Sequence, residues 1–246
     1  MKRFFVTQAL GKDFVLSGPE HNHLANVLRT RAGEHVTVCN GDDNDYEYKA
    51  VEITRSATQM RFVKSTPNRA NPDLNYNLTV YMPVIKFDNL TLVVQKLNEL
   101  GVAELQLYAA RNCNLSLDTV NAEKLKLVAQ QSCKQCGRST PIHIYKTLFG
   151  IEKIAESMQT QYDTAIFLDE KEQGKRLGMI TIPPEHPKSL GAALILGPEG
   201  GFTDTERTVL RDMPNVQPVS MGRRILRAET AAIAASAIIL GKMGEM

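Results

Sequence analysis

Two segments of this 246-residue chain combine residue types that could do chemistry. Gly197-Pro198-Glu199-Gly200-Gly201 puts three glycines in five residues, which permits positive φ and lets backbone approach a ligand closely. Taken alone it is equally a plain tight turn, and it is neither a P-loop nor a GxGxxG fingerprint. Met221 to Ala231 reads MGRRILRAETA and concentrates Arg223, Arg224 and Arg227 before an Ala-rich stretch. Arginine's planar fork suits anions such as phosphate. The plain alternative is a solvated bend, with Glu229 favourably placed near a helix N-terminus. A third segment, Phe167-Leu168-Asp169-Glu170-Lys171-Glu172, ends an apolar run. Three such loops at neighbouring strand ends would make a pocket.

Cys133-Lys134-Gln135-Cys136 has CxxC spacing, but no second CxxC follows, and Cys39 and Cys113 stand apart. A tetrahedral zinc site needs four ligands, so no metal is expected. On a helix the two thiols share one face, and packing is the simpler reading.

The elements that must position these loops differ between the two parts of the chain. Residues 1–70 read as short strands, 36–39, 46–53 and 60–63, with the acidic stretch 42–47 as a solvated hairpin tip. One short helix is expected from His21 to Arg31, ended by Gly33. Together these predict a small antiparallel barrel or sandwich. Residues 66–75 are rich in Pro and Asn and read as a linker.

Beyond it, apolar runs at 78–84, 104–108, 142–145, 164–168, 192–196 and 216–220 alternate with helical segments, including 89–100 closed by Gly101 and 119–134. That alternation predicts a mostly parallel sheet covered on both faces, with ligands beyond the carboxyl ends of its strands. Thr203-Asp204-Thr205-Glu206 predicts a capping box after the glycine loop. The helix through Leu240 is apolar almost all round and therefore expected to be buried, with small residues suited to close packing at a subunit interface.

Composition excludes several classes. A hydrophobic content of 43% with 23% charged residues is that of an ordinary globular protein. The N-terminus lacks the apolar run of about 7–15 residues that a secretory signal needs. The apolar stretch from Ala228 to Leu240 carries Glu229 and falls short of the roughly 18 residues of a membrane span. A cytosolic protein is expected. Net charge is +2 and the pI about 8.3, so nucleic-acid contacts would come from local patches.

The pairing of LGPEGGF at 196–202 with MGRRILRAETA at 221–231 resembles the RsmE family of 16S rRNA uracil-N3 methyltransferases. The likeness extends to Gln95-Lys96-Leu97-Asn98-Glu99-Leu100-Gly101-Val102, to Arg3-Phe4-Phe5-Val6 and to His23–Arg29. One departure is Lys134 before Gln135-Cys136-Gly137-Arg138, where the family often has Glu.

The resemblance implies an α/β chain: a PUA-like RNA-binding barrel over 1–70, then a SPOUT α/β domain over 74–246 with a C-terminal trefoil knot. It also implies a cytoplasmic homodimer acting on 16S rRNA of the small ribosomal subunit, with S-adenosyl-L-methionine held by Leu168, Leu196, Gly197, Pro198, Glu199, Gly200, Gly201, Met221, Gly222, Ile225, Leu226 and Arg227. Methylation at N3 requires loss of a proton, so Arg227 and Arg224 are candidates to stabilise the resulting anion and Glu229 is the candidate base. Lys2, Arg29, Arg31 and Arg138 are candidates for RNA phosphates. His21 and His23 read as structural or RNA-docking residues. Two competing readings are ribose 2′-O methylation, whose Asn-x-Gly-x-x-x-Arg segment is not matched at Asn98-Glu99-Leu100-Gly101, and a non-catalytic RNA-binding factor.

Overall fold

Side-chain alternation builds the first sheet. Along β4 (Asn44–Ile53) Tyr48 and Ala50 are buried while Lys49 and Val51 face out, the period of a half-buried strand. β4 pairs with β3 (His35–Cys39) and β5 (Ala57–Pro67), while β1 (Arg3–Phe5) and β2 (Phe14–Ser17) form the edges. The order is β1-β3-β4-β5-β2, antiparallel except for the parallel pair β1–β3. Phe4, Leu16, Leu24, Val36, Val38, Tyr48 and Met60 fill its core. The buried Tyr48 hydroxyl accepts from Gly11 N and donates to Lys12 O.

The computed structural model describes residues 1–72, 77–182 and 191–246. They fall into two units, Met1–Asn71 with Gln130–Pro141, and Pro72–Ala129 with Ile142–Met246. Positions 73–75 of the expected linker, including 74 where the second domain was expected to begin, lie outside the described residues.

Two local expectations in the first unit need correction. The short helix runs earlier than His21–Arg31: α1 (Gly18–Asn22) has Pro19 in its first turn, widens into a π-type turn at His23–Val27, and is left behind where Arg29 takes φ 47°. Nor is the acidic stretch merely a solvated tip. Asp45 pairs with Arg3 and accepts from Asn68 Nδ2 at 2.8 Å, and Asp43 accepts from the Thr140 hydroxyl at 2.7 Å. Burial opposes the charge on Asp45, yet hydrogen bonds from Arg3 and Asn68 hold its carboxyl below the usual range.

The second unit carries a six-stranded, all-parallel sheet of order β11-β9-β10-β6-β7-β8. Its strands are β6 (Leu78–Pro83), β7 (Glu104–Ala109), β8 (His143–Phe149), β9 (Thr164–Leu168), β10 (Ala192–Ile195) and β11 (Val216–Val219). Every residue of β6, β9 and β10 is buried, as strands covered on both faces require. The helices are α2 (Phe87–Leu100), α3 (Ala122–Cys136), α4 (Ile151–Gln161), α5 (Asp204–Arg211) and α6 (Ala228–Met243), of which α3 runs across the division between the units.

One face packs against Val93 and Leu97 of α2, Leu125 of α3 and Ala235 and Ile239 of α6; the other takes Ile154 and Met158 of α4 and Leu210 of α5. Gly101, at φ 97°, ends α2 in the left-handed conformation. The Thr203/Glu206 capping box forms as expected and starts α5.

Helix α6 corrects a further expectation. It is apolar almost all round but not buried all round. Ala232, Ala235, Ser236, Ile239, Leu240 and Met243 are buried, whereas Ile233, Ala234 and Ala237 are half-buried and Ile238 is exposed. A single chain covers one face of this helix and leaves the other.

Candidate active site

Because β10 inserts between β6 and β9, the strand order reverses at β6/β10, and ligand crevices form beyond strand carboxyl ends at such a point. A cavity of about 730 Å³ lies there, within the range of about 300–1,000 Å³ typical of small-molecule sites. Leu168–Glu170 enter it from β9, Leu196–Gly201 from β10, and Val219–Gly222 and Arg224–Glu229 from β11 and the start of α6. All twelve positions named above for a cofactor line this one cavity, and so do Arg224 and Glu229. Lys86 and Asn89, at the entry to α2, complete the wall.

The glycine loop is held from behind. The buried Tyr108 hydroxyl donates to Leu196 O. Asn112 Nδ2 donates to the carbonyls of Gly200 and Gly201 at 3.3 and 2.9 Å. Gly201 takes φ 70°. A Cβ on Gly200 would lie 2.9 Å from Asn112 Cβ, so this glycine permits close approach of the 110–114 segment.

The loop after β9 is fixed by charge. Asp169, with no exposed side-chain surface, accepts from Arg207 Nε at 2.9 Å and from Arg211 Nη2 at 2.6 Å. Arg207 also donates to Phe202 O at 3.1 Å and to Glu170 at 2.6 Å. Burial opposes the charge on Asp169, but the two arginines hold it below the ordinary carboxylate range.

Arg227 immediately precedes α6 and extends into solvent, 84% exposed, with Nη1 4.0 Å from Glu229 Oε1; Glu229 is 13% exposed. Arg224 is exposed. Lys2, Arg29, Arg31 and Arg138 belong to the first unit and none lines the cavity. Arg29 and Arg31 are exposed, and Lys2 is engaged by Glu34 at 2.8 Å. Arg138 is 3% exposed and its Nε donates to Thr140 O. A buried guanidinium cannot meet a phosphate at the surface, so Arg138 is withdrawn as an RNA contact. His21 is buried and bonded to Thr58 Oγ1 at 2.9 Å, a structural role. Lys134, where the family often has Glu, pairs with Glu20 at 2.8 Å.

Sequence reasoning named Asp169 only as part of its strand-end segment and passed over Arg207, Arg211, Asn112, Lys86 and Asn89. Arg207 and Arg211 stand four apart on a predicted helix and thus on one face, a signal for a shared partner. Lys86 and Asn89 follow a strand directly, where the strand-end rule looks for ligand contacts.

The profile of a family described as RNA methyltransferase domain matches residues 72–240, and that of an RNA methyltransferase PUA domain matches 16–57. The chain belongs to the RNA methyltransferase family. Its similar relatives include proteins named ribosomal RNA small subunit methyltransferase E. One, from Rickettsia conorii, is 27% identical over 96% of this chain and 93% of its own length. Another, from Helicobacter pylori, is 28% identical over 95% and 98%. The crystal structure of a ribosomal RNA small subunit methyltransferase E from Neisseria gonorrhoeae, bound to S-adenosyl methionine, superposes with a TM-score of 0.79 at 24% identity, covering 98% of this chain and 97% of that one. That likeness carries the fold of both units, the PUA-like sheet and the parallel-sheet methyltransferase domain.

Proposed function

We propose that this chain transfers a methyl group from S-adenosylmethionine to N3 of a uridine in small-subunit ribosomal RNA. The observation that carries the reading is the convergence of the three strand-end loops on one cavity with Arg224, Arg227 and Glu229 at its wall. The names of the relatives agree with it.

The cavity's chemistry fits the cofactor. Leu168, Leu196, Met221 and Leu226 offer apolar surface for a purine, and the glycine loop offers backbone for its edge. When bound, the sulfonium supplies an electrophilic methyl group. The chain's own residues must then orient the base in line with that methyl and manage the N3 proton. Arg227 and Arg224 donate to the uracil carbonyls as negative charge develops, and Glu229 accepts the proton. The cofactor-loop positions from Leu168 to Arg227 named above hold the cofactor in this reading, and Arg29 and Arg31 remain its candidates for RNA phosphates in the first unit.

The ribose reading is weaker. Asn98, the residue that would begin its motif, is fully buried, and its Oδ1 accepts from Ile142 N at 2.9 Å.

The same reading includes a SPOUT-type trefoil knot. In its support, β11 lies at the sheet edge outside β9, yet α6 packs on α2 and β6. Lys242 of α6 donates to the carbonyls of Gly178 and Ile180, in the connection between β9 and β10. It further includes a homodimer through the uncovered face of α6, and a cytoplasmic location, where the ribosomal substrate is made. No helix among the described residues is long and apolar enough to cross a membrane.

Nucleoside mass spectrometry of small-subunit RNA treated with enzyme and cofactor tests the chemistry. The expected product is 3-methyluridine; a methyl group on ribose or on C5 overturns the assignment.

A further inference from the structure

Two cations outside the residues assigned above lie just beyond the carboxyl ends of the neighbouring strands β6 and β7. In the β6–β7 pair Pro83 sits opposite Tyr108, and Lys86 and Arg111 each follow their partner by three residues. Adjacent strands lie about 4.8 Å apart, so the segments that carry the two residues leave the sheet next to each other. β10, which carries the glycine loop, borders β6 on its other side.

Arg111 is anchored by its backbone, not its side chain. Its N–H donates to the buried Glu206 Oε1 at 3.0 Å, while the next residue, Asn112, holds the glycine-loop carbonyls. Lys86 lines the cavity, immediately before α2. Both residues are exposed, and neither side-chain cation makes a hydrogen bond or ion pair among the described residues. Nearby, the Glu206 carboxylate is occupied by its capping role, and Asp88 and Glu199 point into solvent as exposed groups. Two unpaired cations on adjacent segments beside a cofactor-sized cavity suit an anion that arrives with the substrate.

We propose that Lys86 and Arg111 grip the phosphate backbone of the RNA next to the target uridine. This extends RNA contact from the first unit to the second and rests on the RNA substrate of the proposed function. The long side chains can share one phosphate or hold two successive ones, fixing the strand so that the target base enters between Lys86 and the Arg224–Glu229 segment. Phosphate contacts of this kind position the nucleic acid without reading sequence.

The test uses the full chain, an unmodified small-subunit RNA transcript, and the variants Lys86→Gln, Arg111→Gln and the pair. Each lost phosphate contact on single-stranded RNA should flatten the dependence of log affinity on log salt by about 0.7. The double variant should therefore lose about 1.4 from the slope and raise KM for RNA much more than it lowers kcat. An unchanged slope overturns the proposal, as does a fall in cofactor affinity, which would assign the pair to the cofactor. If the wild-type protein itself binds the transcript without salt dependence, the failure lies with the RNA-substrate reading instead. Lys86→Arg with Arg111→Lys should restore the slope, since both keep the charge.

Discussion

The carboxylate of Asp169 and the guanidinium of Arg207, 38 residues apart, meet at 2.9 Å in a buried pair. Arg207 reaches from there to Phe202 O and to Glu170. One arginine thereby joins the loop after β9 to the end of the glycine loop, and the cavity's shape depends on that joint. Breaking a buried pair by removing one partner leaves an uncompensated charge, which typically costs about 3–5 kcal/mol.

Asp169→Asn should accordingly destabilise the fold by about 3 kcal/mol, at the lower end because Arg211 is partly exposed. The folded-state pKa of Asp169 is depressed. Its stabilisation is therefore fully present above the unfolded value of about 3.9 and is lost as pH falls through the lower folded value. Urea unfolding of both proteins should show a constant difference from neutrality to about pH 4 that shrinks below it. A difference that vanishes already at pH 6 would mean that Asp169 is not the ionised partner.

Gly200 tests the loop in a different way. Its Cβ would meet Asn112 Cβ at 2.9 Å and Asn112 O at 3.1 Å, so a side chain there pushes the loop off its support and does not itself fill the cavity. Gly200→Val should weaken S-adenosylmethionine binding by displacing the loop. Calorimetry on the folded variant reads this directly, and an unchanged affinity would remove the loop from the cofactor site.

These two cases mark what was legible in the sequence. Periodicity gave the parallel sheet, and glycines and arginines at strand ends gave the cavity walls, because strand-end loops of such a sheet converge by geometry. What escaped was long-range. Nothing local to Asp169 names Arg207 as its partner, and nothing near Arg138 shows that its guanidinium turns inward to Thr140. The packing of Gln130–Pro141 with the first unit was equally hidden, since Cys133 meets Phe5 and Cys39 only after the chain has folded. Helix α6 was misjudged for a related reason: composition reports how apolar a helix is, not how much of it one chain covers.

The Cys136 thiol of the CxxC pair should differ from the other cysteines in reactivity. Hydrogen bonding from Cys133 brings the half-buried Cys136 thiol down to about 6, whereas burial pushes Cys39 up to about 12 and also raises Cys113. The thiolate is the reactive form. Iodoacetamide at pH 7.5 should label Cys136 first, as read by peptide mass spectrometry. Preferential labelling of Cys113 would contradict this order.

The exposed face of α6 predicts assembly. Ile238 is 38% exposed beside the half-buried Ala234 and Ala237, and a two-fold contact would repeat each of them on both sides. Light scattering should give twice the chain mass of 27.3 kDa, and Ile238→Glu should shift the protein to that single-chain mass. A wild-type monomer at micromolar concentration sinks the dimer.

The last prediction separates charge stabilisation from binding. Arg227 is 84% exposed and lies 4.0 Å from Glu229, so its guanidinium is free to swing toward a base that enters the cavity. If it donates to a uracil carbonyl as N3 loses its proton, the interaction is strongest in the transition state, and its removal lowers kcat more than it weakens ground-state binding. Arg227→Ala should cost about 10²–10³ in turnover, the usual loss for one such donor, and lower turnover much more than cofactor affinity. Glu229→Gln should slow the same step while leaving RNA affinity intact, because the amide cannot take the proton. Single-turnover kinetics on small-subunit RNA, with calorimetry for the cofactor, read the two effects apart. Parallel losses of turnover and cofactor affinity in Arg227→Ala would assign the residue to the cofactor alone, and full turnover in Glu229→Gln would pass the proton to another group.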